Sequence, residues 1–108
     1  MSSHDKFTNH NYHKNLKIYK NWNQDIAQNI ANNELIIMTA EHWKVIYLIR
    51  TFYLKFNITP SMRMLIIYMK KNMGQEKGNS RYLFKLFSHN PINLASKIAG
   101  VPKPTTCL

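Results

Sequence analysis

The chain has 108 residues, with 15 Lys and Arg against 5 Asp and Glu, a formal net charge of +10 and a single cysteine. That length suits one compact domain with a modest core and is too short for two. One cysteine excludes an intramolecular disulfide framework and a multi-cysteine zinc site, and is typical of a protein kept in a reducing compartment, so a cytoplasmic location is expected.

The positive balance would favour an anionic partner such as nucleic acid. Yet 12 Lys, 13 Asn and 12 Ile are also what AT-rich coding produces, and the lysines are scattered rather than gathered into one run. No cationic segment followed by an apolar run opens the chain, so no secretory leader is expected. The longest apolar stretches, residues 45–49 and 64–69, are far below the roughly 18 residues needed to cross a bilayer. A soluble protein is expected.

In chain order, residues 1–14 are polar and rich in His and Asn, with Phe7 and Tyr12 as large apolar groups, and read as a loosely ordered N-terminal segment. Residues 22–32 carry Trp22, Ile26, Ala27, Ile30 and Ala31 at spacings of three and four, one face of an amphipathic helix. Leu35-Ile36-Ile37-Met38 reads as a short extended run. Thr39 then supplies a hydroxyl cap, and Glu41 an acidic first turn, for a helix over residues 40–56. Its apolar set of Trp43, Ile46, Ile49, Phe52, Tyr53 and Phe56, with Val45 and Leu48 beside them, is too broad for a surface stripe and predicts the central core helix.

Thr59-Pro60 reads as an N-cap followed by proline at the first helical position, and Gly74 as the stop. Met62, Leu65, Ile66 and Met69 form the inward face between them. Asn79 or Ser80 caps a short helix ending at Phe87 and burying Tyr82 or Leu83, Leu86 and Phe87. Asn90-Pro91 opens another, with Leu94, Ala95 and Ile98 inward, which stops at Gly100. The expected fold is mainly α, a small orthogonal helical bundle over residues 15–100. Residues 101–108 form a flexible C-terminal arm: Pro102 and Pro104 lack amide hydrogens and bias their predecessors toward extended geometry.

The chemistry the chain offers is narrow. Asp5, Asp25, Glu34, Glu41 and Glu76 are dispersed, without the close pair that acid/base hydrolysis needs. His10 and His13 stand three apart with no third ligand, so no metal and no cofactor are expected, and the three glycines are isolated, so no phosphate loop is present. What remains is the thiol of Cys107, one residue from the carboxyl end. A cation nearby would raise its thiolate fraction; Lys103 on the arm, and Arg81 or Lys77 if the arm folds back, are the candidates. Read without that context, Cys107 is an inert tail residue.

Three stretches decide between those readings. Ile98-Ala99-Gly100-Val101-Pro102-Lys103-Pro104-Thr105 before a penultimate cysteine resembles the C-terminal signature of the TusE/DsrC family of sulfur carriers. Glu76-Lys77-Gly78-Asn79-Ser80-Arg81-Tyr82-Leu83-Phe84 resembles a second family signature. Glu41-His42-Trp43-Lys44-Val45-Ile46 with Phe52-Tyr53 resembles a third, and Thr59-Pro60-Ser61-Met62-Arg63 fits between them. The resemblance covers residues 22–108 in order.

The resemblance implies a sulfurtransferase component rather than a stand-alone catalyst. Cys107 would accept persulfide sulfur from the TusBCD complex and pass it to the tRNA 2-thiouridylase MnmA, with tRNA met indirectly within the acceptor complex and no membrane partner. It also implies that Gly100, Pro102 and Pro104 set the arm's hinge and reach, and that Arg81 belongs to the surface beneath it. Members serving sulfite reduction carry a second cysteine eleven residues before the penultimate one; here that position is Ser96, which places the chain with the single-cysteine TusE branch. Family members also open with a β-hairpin turning on glycine. This chain has no glycine before Gly74, though Leu16, Ile18 and Tyr19 suit its second strand. The rival reading is a basic helix-turn-helix module turning at residues 57–59, whose second helix would offer Arg63, Lys70 and Lys71 to nucleic acid.

Overall fold

The structure is a computed structural model and describes residues 21–104. Five helices occupy them: α1 (Gln24–Asn33), α2 (Ala40–Phe56), α3 (Met62–Met73), α4 (Ser80–Phe87) and α5 (Pro91–Ala99). Among the described residues there is no strand, and no helix is long and apolar enough to cross a membrane. The N-terminal segment and the hairpin strand at Leu16, Ile18 and Tyr19 lie outside the described residues.

As its apolar breadth predicts, α2 is the centre of the bundle. Val45, Ile46, Ile49 and Tyr53 are buried to 1% exposure or less, and they meet Ala27 and Ala31 of α1, Leu65 and Met69 of α3, Leu83 and Phe87 of α4, and Ala95 and Ile98 of α5. The small side chains of Ala27, Ala31, Ala95 and Ala99 are all fully buried, which lets helix backbones approach closely.

Each helix begins on a local device. Asn23 accepts from the Ile26 amide and Asn79 from the Tyr82 amide. At α2 the device is a capping box with histidine in the usual acidic position. The Thr39 amide donates to His42 Nδ1 at 3.1 Å while the His42 amide reaches Thr39 Oγ1. His42 Nε2 lies 2.7 Å from the Leu86 carbonyl oxygen. A carbonyl only accepts, so the proton sits on Nε2, and this one ring joins the start of α2 to the end of α4.

Three expectations change. The third helix starts later than Thr59-Pro60 suggests: Ser61 is the N-cap, accepting from the Met64 amide, and Pro60 is buried ahead of the helix. Ile26, assigned inward, is 39% exposed, because α1 starts at Gln24 and turns Ala27 and Ala31 to the core. In the run before α2, Ile36 alone is buried; Leu35, at φ +61°, and Ile37 are 91% and 85% exposed. Glu34 and Leu35 close the end of α1, and the Ile36 amide bonds back to the Ala31 carbonyl, which aims that single side chain inward.

Candidate functional site: the root of the C-terminal arm

The last four carbonyls of a helix lack partners within it. At the end of α5, from which the arm departs, all four are satisfied by specific donors. The Gly100 amide reaches the carbonyls of Ser96 and Lys97, and the Val101 amide donates to Ser96 at 3.2 Å. The indole Nε1 of Trp22 donates to the Ile98 carbonyl at 2.8 Å, and a guanidinium nitrogen of Arg50 to the Ala99 carbonyl at 2.7 Å.

Arg50 belongs to the buried set of α2, at 6% exposure. Burying a cation is costly unless it is compensated. Here the negative end of the α5 dipole and the face of Trp22, 4.0 Å from the guanidinium carbon, both compensate it. Trp22 in turn meets Tyr47 edge-on at 5.7 Å.

Gly100 is required at this point for two reasons. Its φ of +71° is one that L side chains adopt at a cost, and an added Cβ would stand 2.5 Å from Trp22 Cδ1. The indole therefore sits where a side chain on residue 100 would have to be.

Beyond Gly100 the chain is still held. Val101 is packed into the core at 8% exposure. The Thr59 hydroxyl, spared from capping α3, donates to the Pro102 carbonyl at 2.7 Å. Lys103 is exposed and lines a cleft of about 450 Å³ with Glu34, Leu94, Lys97 and Val101; Lys97 bridges to Glu34 at 2.6 Å across it. Gly100, Pro102, Lys103 and Pro104 are thus contiguous at the root, while Cys107 lies outside the described residues.

The other expected cations stand apart. Lys77 is bound to Glu41 at 3.0 Å, and Tyr82 donates its hydroxyl to the same carboxylate. These bonds hold the Glu41 carboxyl well below its ordinary 4.5, at about 2. Burial, and then Glu41 itself, push the Tyr82 hydroxyl up. The cluster ties the α3–α4 connection to the start of α2, and the connection is tight: a Cβ on Gly78 would stand 2.3 Å from Lys70 Cγ. Arg81 is exposed on the first turn of α4. Ser96 is 1% exposed, and its Oγ finds no hydrogen-bond partner among the described residues.

Sequence reasoning missed Trp22, Arg50 and Thr59. Arg50 left a readable trace: it follows Ile46 and Ile49 in the inward register of an apolar helix, where a charge demands a partner.

A family profile described as "DsrC like protein" matches residues 3–108. The sulfurtransferase TusE of Buchnera aphidicola subsp. Acyrthosiphon pisum (strain APS) is 57% identical over 93 residues, which are 86% of this chain and 82% of that one. The sulfurtransferase TusE of Escherichia coli O6:H1 (strain CFT073) is 48% identical over 93 residues, 86% of this chain and 85% of the relative. Among solved structures, the NMR structure of Allochromatium vinosum DsrC superposes with a TM-score of 0.75 at 39% identity, covering 81% of this chain and 78% of the other.

Proposed function

The chain belongs to the DsrC-like family, and from that membership we propose that it is a TusE-type sulfur carrier of tRNA thiolation. Cys107 takes sulfur from the TusBCD complex and delivers it to the 2-thiouridylase MnmA for the wobble uridine, tRNA being met within that acceptor complex, in the cytoplasm. What carries the reading is that a chain 57% identical to a sulfurtransferase has one cysteine in all, within a family match that runs through residue 108.

The chemistry requires one nucleophilic sulfur and reach. The Cys107 thiolate attacks the outer sulfur of a donor persulfide. A bond forms between Sγ and that sulfur, the donor's own sulfur–sulfur bond breaks, and the donor leaves as a thiolate that takes up a proton. Cys107 is then itself a persulfide. In the second half, an acceptor thiolate attacks the outer sulfur and Cys107 departs as thiolate. No net oxidant or reductant is consumed.

The bundle over residues 15–100 serves this chemistry as a mount and residues 101–108 as the arm. Gly100, Pro102 and Pro104 set the arm's direction and stiffness, and Lys103 is the nearest cation in sequence to raise the thiolate fraction. Arg81 and Lys77 contribute only when the arm crosses α4, and Lys77 would have to share its ammonium with Glu41.

The test incubates the protein with a cysteine desulfurase, cysteine carrying radioactive sulfur, and the TusBCD relay. Label retained on a non-reducing gel, released by dithiothreitol and missing from Cys107→Ser is the expected result. Equal labelling of Cys107→Ser, or none of either, refutes the assignment.

A further inference from the structure

We propose that Thr59 is a positioning residue for sulfur transfer: its hydroxyl clasps the Pro102 carbonyl and so aims the arm, which moves freely only from Lys103 onward. The proposal rests on the carrier reading and adds which residue of the body sets the direction in which the thiol is presented.

Three side chains from outside α5 hold carbonyls at its end and just beyond it. Trp22 donates to Ile98, Arg50 to Ala99 and Thr59 to Pro102, at 2.8, 2.7 and 2.7 Å. The Arg50 bond is buried and the Trp22 bond partly so, and both belong to the packing of the bundle. The third bond lies at the surface, between an exposed Pro102 and a half-buried Thr59.

Little backbone freedom is left before Pro102. Gly100 is held at its φ of +71° against the indole of Trp22. Val101 is buried at 8% exposure, with its amide on the Ser96 carbonyl. At Pro102 the ring fixes φ, and there is no amide hydrogen by which the body could hold the residue. What remains is ψ, the rotation that turns the carbonyl, and the carbonyl is the group that Thr59 binds.

The chain that follows is stiff by composition. Pro104 biases Lys103 to extended geometry and fixes a further φ of its own. A stiff segment carries the angle at its root outward, so the ψ of Pro102 decides where the later residues point. Cys107 follows Pro104 by only three residues.

Thr59 is itself firmly seated. It stands between Asn57, the left-handed C-cap of α2 at φ +62°, and the fully buried ring of Pro60. A β-branched residue before a proline has few backbone and side-chain states to choose from.

The test compares the full-length wild type with Thr59→Val, which keeps the branched shape and loses the hydroxyl, and with Thr59→Ser, which keeps the hydroxyl. Pro102 is exposed, so its carbonyl turns to water in Thr59→Val, no buried group is orphaned, and the melting temperature should hold. The expected result is a fall of about five-fold in kcat for sulfur transfer from TusBCD, to MnmA, or both in Thr59→Val, with KM unchanged. Thr59→Ser should restore the rate, and glutathione persulfide should load Cys107 equally in all three. A second readout is local. The Pro102 carbonyl and the Lys103 amide share one peptide plane, so the NMR order parameter of the Lys103 amide should fall in Thr59→Val and hold in Thr59→Ser, with Val101 unchanged.

Equal kcat in the three proteins, or a serine variant as slow as the valine one, overturns the proposal and leaves the carrier reading intact. So does a melting temperature that falls in step with kcat, which makes the bond structural, or a rise in KM alone, which assigns Thr59 to docking. Slower loading of Thr59→Val by glutathione persulfide also overturns it, because the hydroxyl would then act on the thiol and not on the arm. An unchanged Lys103 order parameter shows that there is no clasp, whatever the rates. A wild type that no persulfide donor loads at Cys107 defeats the carrier reading and with it the role given to Thr59, while the order parameter still reports whether the clasp exists.

Discussion

Two charged braces join α2 to the C-terminal half of the chain, and they differ in where they stand relative to water. Near the start of the helix, Glu41 gathers Lys77, Tyr82 and Lys44, with its side chain 37% exposed. Further along, Arg50 and the indole of Trp22 grip the Ala99 and Ile98 carbonyls under cover. The charges of the first are screened and titratable. The second uses a guanidinium that stays protonated at every working pH, together with neutral donors, so neither pH nor salt loosens it much. The comparison teaches that the fixed brace is the one at the root of the arm, where a shift of the last turn of α5 would be carried outward to every later residue.

Breaking the buried brace should have the largest effect. Trp22→Ala removes a ring that Arg50, Tyr47 and Gly100 all pack against, and leaves the Ile98 carbonyl without its donor. We expect a loss of about 3 kcal/mol in chemical denaturation. Gly100→Ala attacks the same contact from the other side, through strain at positive φ and collision with the indole, and should cost about 2 kcal/mol. Combining the two changes should cost less than the sum, because one collision is shared; a fully additive double variant would contradict the packing described.

A smaller effect of opposite sign is expected beside the brace. Ser96→Ala removes a buried hydroxyl that has no partner and should stabilise the protein by about 1 kcal/mol. A destabilised Ser96→Ala would mean that the hydroxyl does find a partner.

The exposed brace should show itself through pH. The Glu41 carboxyl is depressed from 4.5 to about 2 in the folded chain, first by the Tyr82 hydroxyl and then by Lys77. Its contribution is therefore complete above about pH 4.5 and fades as pH falls toward 2. Tyr82 is raised above its ordinary 10.0, so its share is complete below pH 10 and fades above it. Melting temperature followed from pH 2 to 6 should fall toward the acid end less steeply in Glu41→Gln than in the wild type. Parallel curves would refute the coupling.

The helices were readable because their signals are local. Thr39, Asn79, Pro91, Gly74 and Gly100 act within a turn of themselves, and each stands where its chemistry predicts. The root of the arm was readable in its glycine and prolines but not in its brace. Trp22 looked like one more apolar residue of α1, and Thr59 like a helix cap. The bonds that define them cross 76 and 43 residues of sequence, and no periodicity reports such a partner. Arg50 was visible as an anomaly in an apolar register, though nothing local named the Ala99 carbonyl as its acceptor. The outer face of α3 was legible as well: the inward set of Met62, Leu65, Ile66 and Met69 leaves out Met64 and Ile67, and the structure leaves both exposed.

The most direct measurement is the intact mass of the full chain after one turnover with a persulfide donor, repeated after an acceptor is added. With one cysteine in the sequence, the account predicts a single added sulfur that peptide mapping places on Cys107, that reduction removes, and that disappears when the acceptor is present. An unchanged mass, or an added sulfur that persists in Cys107→Ser, would contradict it.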